Sequence, residues 1–425
     1  WSSSAASDVY KRQAMESALQ VDPDHGDSPV ALIDARYIVE LWKRGGKILR
    51  RQDLPKEAFI DLETVKRLPY GGVEGDCLRV IAVSHPWQQP DHPDPKEVNL
   101  TLLAKVLERF IKDGNHYGNG DKGHTYACFF DFMSCFQKGP DGKRTDKEMA
   151  LFGKALSNMM VWYGHPNTMT FKLTRLPKGY PNGFKFPEGM KPNMADYEDR
   201  YRLALPTSHS PSLYSHKMRS VLRGWCFCES SVSNLVKDFD FVLDLAKFDE
   251  SVTSLGDVIR GCAAKRAPPL APPVFKEDLS TKTFTSPKAD RETVGNLYEK
   301  EFDEKLGEAT VLSYNSLQWT DADVVKLCGA IATGKLVKLK KLFLTDNQIG
   351  DAGVAALAEV AGKLPRLNLL ILRNNPNISQ QAKDALKAAL PNCDVYLDEE
   401  EDDDDDDKDE DCLLYTSDAA DDDHC

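Results

Sequence analysis

Leu78-Arg79-Val80-Ile81-Ala82-Val83-Ser84-His85-Pro86-Trp87 is the stretch whose reading decides the fold. Its first six residues form a nearly continuous apolar run, the pattern of a strand buried on both faces of a parallel sheet. The polar and aromatic residues after Val83 close that strand. Upstream, Ile33, Tyr37, Ile38, Leu41 and Trp42 share one face of a helix predicted over 33–49, and 54–68 reads as a second, weaker helix. Downstream, Val98, Leu102, Leu103, Val106, Leu107, Phe110 and Ile111 recur at helical spacing. A Gly/Asn-rich loop over 114–124 then leads to a second buried strand at 126–130. Thr145 and Glu148 form a capping-box pattern that opens a helix running to Tyr163. A third strand is expected at 168–173, a Pro-rich excursion at 177–212, a helix at 215–236 and a fourth strand at 239–245. Strands alternating with helices imply an α/β domain with a mostly parallel sheet flanked by helices. It is placed at 75–262, with residues 15–74 as N-terminal helices packed on it.

A different period governs the C-terminal part. Leu339-x-x-Leu342-x-Leu344-x-x-Asn347 recurs as Leu367-x-x-Leu370-x-Leu372-x-x-Asn375, and a degenerate copy, Leu312-x-x-Asn315-x-Leu317, precedes both. Helical runs at 321–332, 351–361 and 380–390 fill the intervals. This is the leucine-rich-repeat signature, in which each Leu enters a shared core and each Asn bonds backbone in the turn. It resembles the ribonuclease-inhibitor type, where every repeat carries a full helix. Residues 291–397 are therefore read as a short leucine-rich-repeat α/β solenoid whose N-terminal end is covered by a helix near 291–306. Residues 263–290, stiffened by Pro268, Pro269, Pro272 and Pro273, are read as a linker.

Three motifs in the α/β part fall where ligand groups collect in open α/β sheets: Ala82-Val83-Ser84-His85-Pro86-Trp87, Asp131-Phe132-Met133-Ser134-Cys135-Phe136-Gln137 and Arg223-Gly224-Trp225-Cys226-Phe227-Cys228-Glu229. Together they resemble the heterokaryon-incompatibility domain family, whose signatures run roughly A-L-S-Y/H-x-W-G, D-x-x-C-x-x-Q and R-x-W-x-x-x-E. Ala82, Ser84, His85 and Trp87 match the first, with Gln88 in place of Gly. Asp131 and Gln137 match the second, with Ser134 in place of its Cys. Arg223, Trp225 and Glu229 match the third. That family is similar to Toll/interleukin-1-receptor (TIR) domains, where a Trp-Cys-x-x-Glu helix carries the Glu that cleaves NAD. The resemblance implies a flavodoxin/TIR-like sheet, NAD as substrate with no cofactor required, self-association, and an intracellular signalling or effector role.

The residues bear two readings. Trp225 and Glu229 are four apart and share one helix face. Glu229 is either the catalytic carboxylate that stabilises the cation formed as a glycosidic bond to nicotinamide breaks, or half of a structural ion pair with Arg223 or Arg219. His85, held extended by Pro86, either contacts a ribose or phosphate or is a satisfied rim histidine. Asp131 either holds a ribose hydroxyl or caps a loop amide. Trp87 and Trp225 either line a base or fill core, and Ser84 either faces substrate or bonds backbone. With Gln137 and Arg223, these complete the candidate substrate-binding set. The alternative to an enzyme is a protein-interaction scaffold, with the repeats taking a protein partner.

Other classes are disfavoured. No G-x-G-x-x-G, Walker or G-x-S-x-G motif is present. A thiol pair of Cys135 or Cys226 with His85 lacks any signal that positions a base, and the cysteine spacings do not suggest a metal site. There is no basic, aromatic-interleaved stripe for nucleic acid. The net charge of -13 is concentrated in a tail: residues 398–411 hold 13 acidic side chains and one Lys. Such a block stays solvated or meets a basic protein. There is no membrane-length apolar run, so a cytoplasmic protein is expected. Asp8-Val9-Tyr10-Lys11-Arg12-Gln13 and Cys412-Leu413-Leu414-Tyr415-Thr416-Ser417 match the two strands of a common transposase adapter read in frame. Residues 1–14 and 412–425 are accordingly expected to be adapter-encoded, with Met15 the start.

Overall fold

Alternation of strands and helices builds two sheets in the computed structural model, which describes residues 15–68, 77–87, 92–113, 124–174, 224–282, 284 and 287–397. The expectations for both chain ends, the acidic tail, most of the 114–124 loop, the 177–212 excursion and Arg223 fall outside those residues. In the first sheet β1 (Ile33–Asp34) runs antiparallel to β3 (Thr125–Phe129). The strands β2 (Leu78–Ser84), β3, β4 (Met169–Lys172) and β5 (Val242–Asp244) are parallel, in the order β1-β3-β2-β4-β5. The fold is mixed α/β with a mostly parallel sheet flanked by helices.

Side-chain alternation along β2 divides the interior in two. Leu78, Val80 and Ala82 face a core that includes Phe129, Trp162 and Tyr163. Ile81 and Val83 face another, with Phe110, Phe130 and Phe171. Each fully buried aliphatic side chain contributes roughly 1.5–3 kcal/mol, so a one-residue slip of β2 would forfeit both cores. Helices α1 (Ala35–Lys43) and α3 (Val98–Asp113) cover the second face.

Several boundaries move for local reasons. The helix expected over 33–49 yields its first residues to β1, because Ile33 and Asp34 pair with Cys128 and Ala127; Asp34 then caps α1 at Arg36 N. The stretch 54–68 is mostly short turns, with α2 (Leu62–Arg67) opened by Asp61 capping Thr64 N. The capping box at Thr145 and Glu148 is formed, but its helix divides into α5 (Asp146–Ser157) and α6 (Met160–Gly164). The short helix α4 (Asp131–Ser134) precedes α5 in the chain. The fourth strand shortens to β5 between two 3-10 turns. Within 215–236 the described helix is α7 (Gly224–Ser233).

The stretch read as a linker is packed into the core. After α8 (Leu255–Cys262), Ala264 N donates to Val242 O at 2.8 Å, and Arg266 is fully buried. Pro272 starts α9 (Pro272–Ser280), since a proline in the first turn forfeits no helical hydrogen bond. Phe275 of α9 stacks between Phe227 of α7 (4.9 Å) and Tyr298 (3.7 Å) of the following helix, α10 (Pro287–Glu308). Prolines here fix a seam.

The second sheet contains β6 (Val311–Ser313), β7 (Lys341–Phe343), β8 (Leu369–Ile371) and β9 (Asp394–Tyr396), all parallel and in sequence order. Helices α11 (Asp321–Ala332), α12 (Asp351–Val360) and α13 (Gln380–Ala389) connect them. Leu312, Leu339, Leu342, Leu344, Leu367, Leu370 and Leu372 are buried between strands and helices. Left-handed residues follow each of the first three strands: Ser316 (φ 57°) and Gln318 (φ 56°) after β6, Asp346 (φ 57°) after β7 and Asn374 (φ 57°) after β8, a conformation that Asp and Asn tolerate best.

At the N-terminal side, Asp22 binds the Lys154 ammonium and His25 Nδ1 (2.8 Å), and these partners lower its pKa from 3.8 to about 2. Asp24 lies in the same loop, giving three ligand-type groups close together, with the Lys154 ammonium already on Asp22. A depressed carboxylate stabilises the fold above its unfolded pKa, and that contribution is lost as pH falls through the folded value. Unfolding between pH 4 and 2 is therefore expected to be steeper for the native chain than for Asp22→Asn; equal slopes in thermal melts across that window would remove Asp22 as the cause.

Candidate functional site

Ser84 ends β2 and His85 follows it, so their side chains leave the strand toward opposite faces. On one face Ser84 Oγ donates to Glu229 Oε2 at 2.7 Å, joining β2 to α7. On the other, His85 Nε2 lies 3.6 Å from Asp131 Oδ1, and its ring meets Phe130 edge-on at 4.4 Å. Trp87 Nε1 donates to the second Asp131 oxygen at 3.2 Å while its ring packs edge-on against Phe132. Asp131 Oδ1 also accepts from Phe132 N, so it opens α4 as well as holding the two rings.

The two carboxylates thus approach the Ser84–His85 peptide from opposite sides of the sheet end. Both are near enough to act on Tyr163, whose hydroxyl donates to Val83 O at 3.1 Å. Burial, then Glu229, then Asp131 hold that phenol well above its usual pKa. Cys226 Sγ reaches His85 O at 3.4 Å, tying α7 to the crest a second time. In chain order β3 lies on one side of β2 and β4 on the other, so connections leave the crest toward both faces. Such a switch point is where open α/β sheets take ligands.

Exposure differs across the cluster. Glu229 is 6% exposed and the His85 side chain 1%, whereas the Asp131 side chain is 28% exposed. Trp87 and Trp225 are half-buried. The arrangement has a buried floor and a partly open rim. Gln137 has another role: its Nε2 donates to Asp131 O (3.1 Å) and Cys135 O (3.0 Å), and its own carbonyl accepts from Gln52, so it braces the loop. Trp225 packs against the Tyr163 side of the sheet from the first turn of α7. The structure therefore links Ser84 to Glu229, and His85 and Trp87 to Asp131.

Ser134 has a structural use, since its hydroxyl caps Phe130 N at 3.0 Å. Burial first, then Asp131, pushes the Cys135 thiol up to about 12, which suppresses thiolate chemistry there. The eight cysteines among the described residues are free.

Three further polar groups at the crest escaped the sequence reading. Lys172 ends β4 in register with Ser84, Asp244 ends β5 in register with Lys172, and the Thr174 hydroxyl bonds Asp244. All three are buried. The signal was present as period two: Met169, Phe171 and Leu173 alternate with Thr170, Lys172 and Thr174.

The chain is matched by no protein-family model and by no curated protein sequence. Among the described residues no helix is long and apolar enough to cross a membrane.

Proposed function

We propose that the crest of the first sheet binds a dinucleotide of the NAD type and cleaves its nicotinamide glycosidic bond, within a heterokaryon-incompatibility/TIR-like, flavodoxin-like domain. The observation that carries the reading is the meeting of three segments distant in sequence, through Ser84 with Glu229 and through His85 and Trp87 with Asp131, at the C-terminal ends of parallel strands. In this reaction the bond from ribose C1′ to the nicotinamide nitrogen breaks and its electron pair leaves with neutral nicotinamide. Water then adds to the oxocarbenium-like carbon and releases a proton. Glu229 opposes the positive charge as it grows on the ribose, held in place by the Ser84 hydroxyl. Asp131, His85 and Arg223 orient ribose and phosphate, and the Trp87 and Trp225 rings line the bases. We read the second sheet as a short leucine-rich-repeat solenoid that takes a protein partner and regulates this domain, in a cytoplasmic signalling protein that self-associates.

A second reading, a non-enzymatic interaction scaffold, is favoured by the burial of Glu229 and by its bond to Ser84, both of which suit a structural carboxylate. Nicotinamide release from NAD separates the two. Native protein is expected to turn over, with Glu229→Ala and Glu229→Gln each reduced about 100-fold or more. No turnover by the native chain, or equal turnover by the variants, leaves the scaffold reading.

A further inference from the structure

Beside Ser84 the crest carries two charged groups, Lys172 and Asp244, that the proposed chemistry leaves unused. Ser84, Lys172 and Asp244 are in-register neighbours on three adjacent parallel strands, so they point to the same face of the sheet. That face is the one covered by α7. Thr170, two residues before Lys172, is 2.9 Å from Ser233 Oγ of α7, and Ser84 bonds Glu229 of the same helix. Moving from Thr170 to Lys172 advances about 6.6 Å along a strand. Moving from Ser233 back to Glu229 covers about 6 Å of helix. The two steps match, which puts Glu229 over Ser84 of β2 at the level of Lys172 on the neighbouring strand.

Lys172 is fully buried, as is Asp244, and Glu229 nearly so. A buried ammonium is tolerated only with opposite charge and hydrogen-bond acceptors beside it. Among the described residues, the acidic groups at this level of the face include Glu229 on α7 and Asp244 on β5. Asp244 already accepts from Thr174 and from Ala246 N on one oxygen.

We propose that Lys172 is a positioning residue for Glu229: its ammonium supplies the counter-charge that keeps the Glu229 carboxylate ionised and fixed against Ser84. The proposal rests on reading Glu229 as the working carboxylate, yet it is tested without turnover. Thermal unfolding of the full chain is measured for native protein, Lys172→Met, Glu229→Gln, Asp244→Asn and the two doubles that contain Lys172→Met. Lys172→Met is expected to lower Tm by roughly 6–15 °C at pH 7, as loss of one partner of a buried pair does. That loss shrinks toward pH 4, where an unpaired carboxylate takes up a proton. In the Glu229→Gln background the same substitution is expected to lower Tm by less than half as much. If Lys172→Met alone does not fold, recovery of a cooperative melt in the double variant with Glu229→Gln is the supporting result. Additive losses with Glu229→Gln, or coupling to Asp244→Asn alone, overturn the proposal. Absent NAD turnover alongside a coupled cycle would sink the enzymatic reading and leave the pairing intact.

Discussion

Replacing Asn347 by Ala lowers the melting temperature of the chain by about 10 °C, one of the largest effects expected from a single uncharged side chain here. Asn347 is 4% exposed and makes five bonds to backbone. Its Oδ1 accepts from Leu317 N (3.1 Å) and Trp319 N (3.0 Å); its Nδ2 donates to Tyr314 O, Leu344 O and Thr345 O. Those groups belong to the turns after β6 and β7, so one amide satisfies two successive units. Alanine leaves them buried without that partner, at about 1–3 kcal/mol per unsatisfied group, less whatever water can enter, for a net loss of about 4 kcal/mol. Asp at the same place keeps the accepting half, loses the donating half and buries a charge, so Asn347→Asp is expected to be at least as damaging. Asn375 makes four such bonds, and Asn375→Ala is expected to lose less because the unit after it ends the sheet. Differential scanning calorimetry of the three variants decides this. A loss below about 3 °C for Asn347→Ala would show that water replaces the amide.

The central strand, and the helices that follow the strands of the second sheet, were legible because each is written in local pattern. Leucines at fixed intervals mark positions that the second sheet buries, and a continuous apolar run such as Val80-Ile81-Ala82-Val83 suits a strand covered on both sides. What the sequence hid depends on partners distant in the chain. Ile33 and Asp34 continue a helical period and become strand only because β3 has a free edge. The prolines of 268–273 have linker composition, yet they frame Arg266 and Leu270, which the fold buries. At the crest, the motif segments gave Ser84, His85, Trp87, Asp131 and Glu229 as residues, but not their division between two faces of the sheet. That division follows from Ser84 and His85 being consecutive, a consequence of strand geometry that motif spacing does not display. Lys172 gains its meaning from the face it shares with Ser84 and Asp244, which depends on strand register and not on its own segment.

Arg266→Ala is expected to lower Tm by roughly 6–15 °C, and its effect reaches both sheets. The fully buried guanidinium donates to Lys237 O, beside α7, and to Ser313 O of β6 at 2.7 Å, so one side chain joins the two sheets. Its own carbonyl accepts from Trp319 Nε1 at 2.8 Å, and its charge lies over the Tyr314 ring at 5.3 Å. Tyr314 in turn donates to Leu235 O at 2.6 Å. Burial raises the pKa values of Asp238 and Asp240, and the Arg266 charge opposes that rise in both. Removing the guanidinium takes a nearby cation from both carboxylates and a donor from the Lys237 and Ser313 carbonyls. Arg266→Lys keeps the charge but not the fork that spans both carbonyls, so an intermediate loss is expected. Hydrogen exchange provides the sharper readout: amides of β6 and of the α7 C-terminal turn should lose protection together in Arg266→Ala, because the same side chain holds both. Protection lost in β6 alone would mean that the seam is held by Tyr314 and Trp319. In that case a displacement of the second sheet would not be transmitted through Arg266 to the helix that carries Glu229.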